Sequence, residues 1–189
     1  MITELCAVLA FSAIQNNDKI GVLFFTDKVE KFIPPKKGKS HILHIIRELL
    51  EFKPESKKTN ISEALRYFTN AIKKKSIAFV ISDFMDKDFS DALKIASGKH
   101  DVIALRIYDK REKELPAMGL VKFHDAETGK TTWLDTSNKN VRNQYYAAVR
   151  QKGQMLKDIF LRSGVDTTSI ATDQSYIAPL TTLFARRGK

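Results

Sequence analysis

The chain has 189 residues, 43% hydrophobic and 29% charged, the profile of a soluble globular protein with enough length for one domain and a real core. Its single cysteine, Cys6, excludes an internal disulfide and fits a reducing, cytoplasmic compartment. No apolar run approaches the roughly 18 residues that span a bilayer, and Met1-Ile2-Thr3-Glu4-Leu5 has no basic n-region, so it does not read as a signal peptide. The 32 Lys and Arg against 22 Asp and Glu leave a net charge of +10, dispersed in small groups, which reads as a solvated basic surface rather than a nucleic-acid site.

In chain order, residues 2–15 put Ile2, Leu5, Cys6, Leu9, Ala13 and Ile14 on one helical face, which makes Cys6 a buried, inert thiol. Ile20 to Phe25 reads as a buried strand, Thr26-Asp27-Lys28 as a turn, and Val29 to Ile33 as an alternating edge strand that closes a hairpin. Pro34 to Lys39 reads as a loop. Ser40 is the expected N-cap of a helix reaching about Phe52. A charged loop, Lys53 to Lys58, precedes Thr59-Asn60 and a helix from Ile61 to about Lys74.

The run Ser76 to Phe84 is apolar without alternation and closes on Ser82-Asp83, the pattern of a strand buried on both faces. In an open parallel sheet, ligands sit beyond the carboxyl ends of the strands, which places Asp83 at the functional edge. A helix over Lys87 to Ser97, capped by Asp86 or Asp88, leads to a second buried strand, Val102 to Tyr108, ending at Asp109. An excursion over about 114–137 reads as a β-hairpin turning at Gly129 and carrying Trp133, either an exposed partner anchor or a prop against its own domain. A long helix from Asn138 to Ser163 follows, with Val141, Tyr145, Val149, Leu156, Ile159 and Phe160 inward and Gly164 as its cap. A last strand over 165–171 and a helix over 176–186, with Ile177, Leu180, Leu183 and Phe184 on its inner face, complete the chain. This order predicts one α/β domain over 1–189, a Rossmann-like, mostly parallel sheet flanked by helices with an inserted hairpin.

Four stretches together, Ile20 to Asp27, Phe32-Ile33-Pro34-Pro35-Lys36-Lys37-Gly38, Thr59-Asn60-Ile61 and Ile81-Ser82-Asp83-Phe84, resemble a von Willebrand factor A-like bacterial family, domain of unknown function fifty-eight. Members are usually encoded beside MoxR-type AAA+ ATPases. The resemblance implies a metal-ion-dependent adhesion site in which Thr59 and Asp83 are two of the magnesium ligands of an intact member, with a partner carboxylate completing the ion's shell. The Asp-x-Ser-x-Ser element of the first loop does not occur here. The resemblance thus implies a truncated amino terminus lacking the first strand, through a fragment, a late start or a shortened member. No cofactor is expected in this chain, since two ligands are too few for magnesium. The strands Ile20–Phe25 and Ile77–Ile81 would pair directly, borrow a strand or leave a groove, and unpaired edges invite a homodimer.

The expected function is a non-enzymatic interaction module that presents Ser82, Asp83, Thr59, Lys36 and Lys37 to a protein partner, a MoxR-type ATPase by resemblance. Two rivals stand beside it. A magnesium-dependent phosphoryl-transfer or hydrolytic enzyme using Asp83 and Asp27 lacks a phosphate loop and a nucleophile–base pair in this sequence. A nucleic-acid-binding surface would show affinity that collapses with salt. His41, His44 and Glu48 share helical spacing, yet nothing supplies a further zinc ligand. Asp27 and Asp109 are read as turn and loop residues, and Lys36-Lys37-Gly38-Lys39 as a solvated loop or a contact to an acidic partner.

Overall fold

The computed structural model describes residues 1–86, 88–110, 115–124, 129 and 131–188. Two compact units divide the chain: Met1–Lys73 with Asp86–Ala92, and Lys74–Met85 with Leu93–Lys189.

The first unit opens with α1 (Ile2–Gln15), which buries Leu5 and Ala10. Strands β1 (Ile20–Phe25) and β2 (Val29–Lys36) form an antiparallel hairpin. The second strand is longer than alternation predicts and runs through Pro34 and Pro35 to Lys36, opposite Ile20. Proline is tolerated there because β2 is an edge strand, and the register shift between Ile20 and Val22 absorbs the missing donors. Gly21 stands at that shift, where a Cβ would come within 2.7 Å of the Ile33 carbonyl oxygen and 2.9 Å of the Pro35 nitrogen. Helix α2 (Lys39–Glu51) starts directly after Gly38, whose φ of 105° turns the chain out of the strand. Ser40 therefore lies in the first turn and is not the cap. Phe24, Ile33 and Ile45 form the core of this unit, and Phe24 stacks on Phe52 with ring centroids 4.5 Å apart. Helix α3 (Ile61–Ala71) buries Ile61, Ala64, Leu65 and Thr69, and it ends three residues before the expected Lys74.

The second unit is built on a three-stranded parallel sheet ordered β3 (Ile77–Ser82), β4 (Asp101–Tyr108), β7 (Asp166–Ala171). Central β4 buries Val102, Ile103, Ala104 and Leu105, the burial its apolar run predicts. Strand β3 differs from expectation. It lies at the sheet's edge, and its residues are half-buried or exposed rather than enclosed on both faces. β1 and β3 are hydrogen-bonded to different neighbours in different sheets.

Helix α4 (Ser90–Lys99) begins later than expected, and Lys87 lies outside the described residues. Strands β5 (Leu120–His124) and β6 (Thr131–Asp135) form the hairpin, whose turn at 125–128 and 130 also lies outside them. Helix α5 (Lys139–Arg162) is capped by Asn138, whose side chain accepts the Asn140 N–H, and ends before Gly164 at φ 63°. It buries Leu156 and Phe160, while Val141, Tyr145, Val149 and Ile159 are only half-covered. Helix α6 (Ile177–Arg187) buries Leu180 and Leu183. Its expected inner residues Ile177 and Phe184 are exposed, although Phe184 still meets Phe79 edge-on at 6.2 Å. The parallel register puts Phe79, Asp101, Ile103 and Asp166 on one sheet face, and Arg187 reaches both aspartates there, so α6 covers that face.

The second unit, a mixed α/β arrangement of helices around a parallel sheet with an antiparallel hairpin, is Rossmann-like. Among the described residues no helix is long and apolar enough to cross a membrane. The tight approach at Gly21 generates a prediction. Gly21→Ala forces backbone apart at the β1–β2 shift and is expected to cost about 1–3 kcal/mol. A urea titration should show a lower midpoint with an unchanged slope; an unchanged midpoint would mean the strand pair accommodates a methyl group freely.

Candidate functional site

The residues after β3 form a tight, internally bonded turn. The Ser82 hydroxyl accepts the Phe84 N–H at 3.1 Å, and Asp83 Oδ1 accepts the Met85 N–H at 3.0 Å. Phe84 takes a φ of 55°, a left-handed conformation that is strained for a bulky residue. It holds that conformation because its ring is fully buried and meets Phe160 of α5 edge-on at 5.0 Å. Lys152 of α5 donates to the Met85 carbonyl at 3.4 Å. Side chains of one helix therefore hold Phe84 and Met85, on the carboxyl side of a turn that leaves Asp83 exposed beyond the carboxyl end of a parallel strand.

The carboxyl end of β1 in the first unit carries a second network. Thr26 is buried, and its hydroxyl donates to Glu30 at 2.6 Å. The same Glu30 carboxylate accepts the Glu55 N–H at 3.0 and 3.1 Å. Asn60 N–H donates to the Thr26 carbonyl at 2.8 Å. The segment from Glu55 to Asn60 is thus tied at each end to the start of the β1–β2 hairpin's second strand or its turn. The Thr26 hydroxyl is the main reason the Glu30 carboxyl is held below its usual range, with the Glu55 N–H adding to it. Asp27 is likewise held low, chiefly by Ser56.

Asn60 caps α3 by accepting the Glu63 N–H at 2.9 Å, and Thr59 precedes it. Asp86 supplies the other acceptor at this helix start, taking the Ile61 N–H at 2.7 Å. The sequence pattern predicts Asp86 or Asp88 as the cap of the following helix. Instead Asp86 turns back to α3, and the Asp88 carbonyl accepts the Ser62 hydroxyl at 3.0 Å. An extra acidic residue in Met85-Asp86-Lys87-Asp88, more than one cap requires, was the available signal.

Of the candidate site residues, Thr59, Lys36 and Lys37 belong to the first unit and Ser82 and Asp83 to the second. Lys36 ends β2, and Lys37 follows it, exposed. Among the described residues no three His, Cys, Asp or Glu side chains gather closely enough to hold a metal. Asp83 accepts a backbone N–H through Oδ1 in the second unit, whereas Thr59 lies in the first. His41 faces the Ile20 carbonyl at 2.9 Å, and Glu48 pairs with Lys31 at 2.5 Å, so these side chains serve the hairpin and its helix. Burial pushes the Cys6 thiol up to about 11, which keeps it protonated at neutral pH. Trp133 is exposed on the hairpin, with the Lys122 ammonium 5.8 Å from its ring centre.

With this geometry in hand, the class is that of a mixed α/β, Rossmann-like protein. The chain belongs to the family described as Protein of unknown function DUF58, which it matches over residues 1–155. It is similar to the uncharacterized protein Mb1516 of Mycobacterium bovis, 22% identical over 184 residues, 96% of this chain and 58% of that protein. It is also 25% identical over 128 residues to the uncharacterized protein MAV169 of Mycobacterium avium, covering 67% of this chain and 75% of the relative. The chain thus spans a little over half the length of the M. bovis relative. Among solved structures it resembles the conserved hypothetical protein BatB from Bacteroides thetaiotaomicron, with a TM-score of 0.54 and 18% identity, over 98% of this chain and 87% of that one. At that identity the likeness supports the fold alone.

The Thr26–Glu30 bond carries a pH prediction. Glu30 has a depressed folded-state pKa, so its contribution is present above the ordinary carboxylate range and is lost as pH falls through the depressed value. Thr26→Val should raise the Glu30 pKa toward its usual value, and the Glu55 amide should lose protection at a higher pH than in the parent. Carbon-detected NMR titration with amide exchange reads both quantities; an unmoved Glu30 pKa would show that the hydroxyl does not hold the carboxylate.

Proposed function

We propose that this chain is a non-enzymatic protein–protein interaction module of von Willebrand factor A-like build, working with a MoxR-type AAA+ ATPase in the cytoplasm. One observation carries the reading. Asp83 stands exposed at the carboxyl end of a parallel strand, on a turn held rigid by Phe84 against Phe160. A carboxylate presented that way suits recognition of a cationic or hydrogen-bond-donating side chain on a partner. The Ser82 hydroxyl already accepts the Phe84 N–H, which fits a positioning role better than a nucleophile's. Lys36 and Lys37, at the other end of the β1–β2 hairpin from the Thr59 segment, are a separate candidate contact on the first unit, suited by charge to an acidic partner surface.

A second reading concerns self-association. β3 and β1 each have one hydrogen-bonded neighbour among the described residues, so each leaves backbone donors and acceptors along one edge. This supports a homodimer built by strand pairing. Light scattering with solution X-ray scattering should give a dimer mass, and a monodisperse monomer across the concentration range would remove the reading.

For the main proposal, binding to the MoxR-type ATPase is measured by calorimetry. Asp83→Ala should weaken it about tenfold or more while circular dichroism stays unchanged. Chelator should leave the parent's affinity where it was. Undiminished binding by Asp83→Ala would move the interface elsewhere.

A further inference from the structure

Helix α5 is the most charged element in the described chain. Lys139, Arg142, Arg150, Lys152, Lys157 and Arg162 stand against one carboxylate, Asp158, a net of five and so half the chain's +10. Two of the six cations are used locally. Arg142 donates to the carbonyls of Thr136 and Ser137 at 2.6 and 2.9 Å, and Lys152 donates to Met85. Asp158 accepts the Gln154 side chain at 2.9 Å. The remaining cations, Lys139, Arg150, Lys157 and Arg162, are exposed. Lys139, Tyr146, Arg150, Lys157 and Leu161 recur at alternating spacings of seven and four, which aligns them in one stripe about 33 Å long, within which the Tyr146 hydroxyl bonds the Leu115 backbone at 3.2 Å and the other four are exposed. Leu161 in this stripe is 81% exposed, and Met155 beside it is 57% exposed.

We propose that the outer face of α5 docks an acidic, amphipathic segment of a protein partner. The charge fixes the sign: several cations with a single, already bonded carboxylate among them call for an anionic counterpart. The apolar residues fix the class. Met155 and Leu161 sit among the cations, where a protein segment carrying both carboxylates and apolar side chains can cover them, whereas a phosphate backbone would leave them against charged oxygens. A lipid surface is disfavoured because the helix's own apolar side, Leu156 and Phe160, is already buried and cannot enter a bilayer. Docking on α5 makes no use of Asp83, so this proposal and the strand-end reading stand or fall separately.

The probe is a fluorescein-labelled amphipathic helical peptide with glutamates on one face and leucines on the other, titrated into the whole chain. The comparison ligands are a glutamate–glycine peptide of equal charge, single-stranded DNA and phosphatidylserine vesicles. Lys139→Glu with Arg150→Glu and Lys157→Glu should weaken peptide binding about tenfold or more. Lys73→Glu with Lys74→Glu and Lys75→Glu changes the net charge equally at exposed positions elsewhere, and should leave binding unchanged. Met155→Ser with Leu161→Ser should reduce affinity for the amphipathic peptide and not for the glutamate–glycine one. If charge reversal on α5 disturbs folding, the three glutamine replacements at the same positions should give the same loss in smaller measure. Equal weakening by the two lysine and arginine sets, no weakening by the α5 set, or tighter binding of DNA or vesicles than of the peptide would each overturn the proposal.

Discussion

Phe84 is held with its ring fully buried against Phe160 while its backbone sits at a φ of 55°. The left-handed conformation costs about 1–3 kcal/mol for a non-glycine residue, and burying the ring returns a similar amount, about 1.5–3 kcal/mol. Packing in the core of the second unit thus sets the conformation of a surface turn. Asp83 and the Ser82 hydroxyl take their positions from it. The turn depends in turn on α5 being anchored through Leu156 and Phe160, and on β3 being held in register by β4. A rigid surface carboxylate is what an interaction site needs, because little conformational freedom remains to be lost on binding.

The same unit shows how burial is distributed across a small parallel sheet. β4 has a neighbour on each side and is enclosed. β3 has nearly the same apolar composition but one neighbour, and it is only half-covered. Arg187 bridges Asp101 and Asp166 at the amino ends of β4 and β7, away from the edge that carries Asp83. The Arg187 bridge and the exposed Asp83 are therefore at opposite ends of the strands. The exposed cations of α5 are a third, separate group.

Much of this was readable in the residues. The strands at Ile20–Phe25 and Val102–Tyr108, the hairpin, and α5 with its Gly164 stop follow from periodicity and turn chemistry. The family is legible as a resemblance, through the Asp-Lys-Ile-Gly, Pro-Pro-basic-Gly and Ser-Asp-Phe stretches, and the match over residues 1–155 shows it. The failures have physical causes. An unbroken apolar run does not distinguish a central strand from an edge strand, so the burial of β3 was overestimated. Pro34 and Pro35 read as a loop because the register shift that accommodates them depends on Gly21, thirteen residues away. Ile177 and Phe184 fit a helical stripe, but α6 turns a narrower face to the sheet. The return of Asp86 to the start of α3 is a contact across 25 residues that local pattern does not encode.

The central claim is that the turn after β3 is where a partner binds. Amide hydrogen exchange of the whole chain, with and without a MoxR-type ATPase, tests it most directly. The account predicts added protection at the Phe84 and Met85 amides, the two that bond to Ser82 and Asp83, as the turn is covered. Protection confined to other segments, with these two amides exchanging as before, would contradict it.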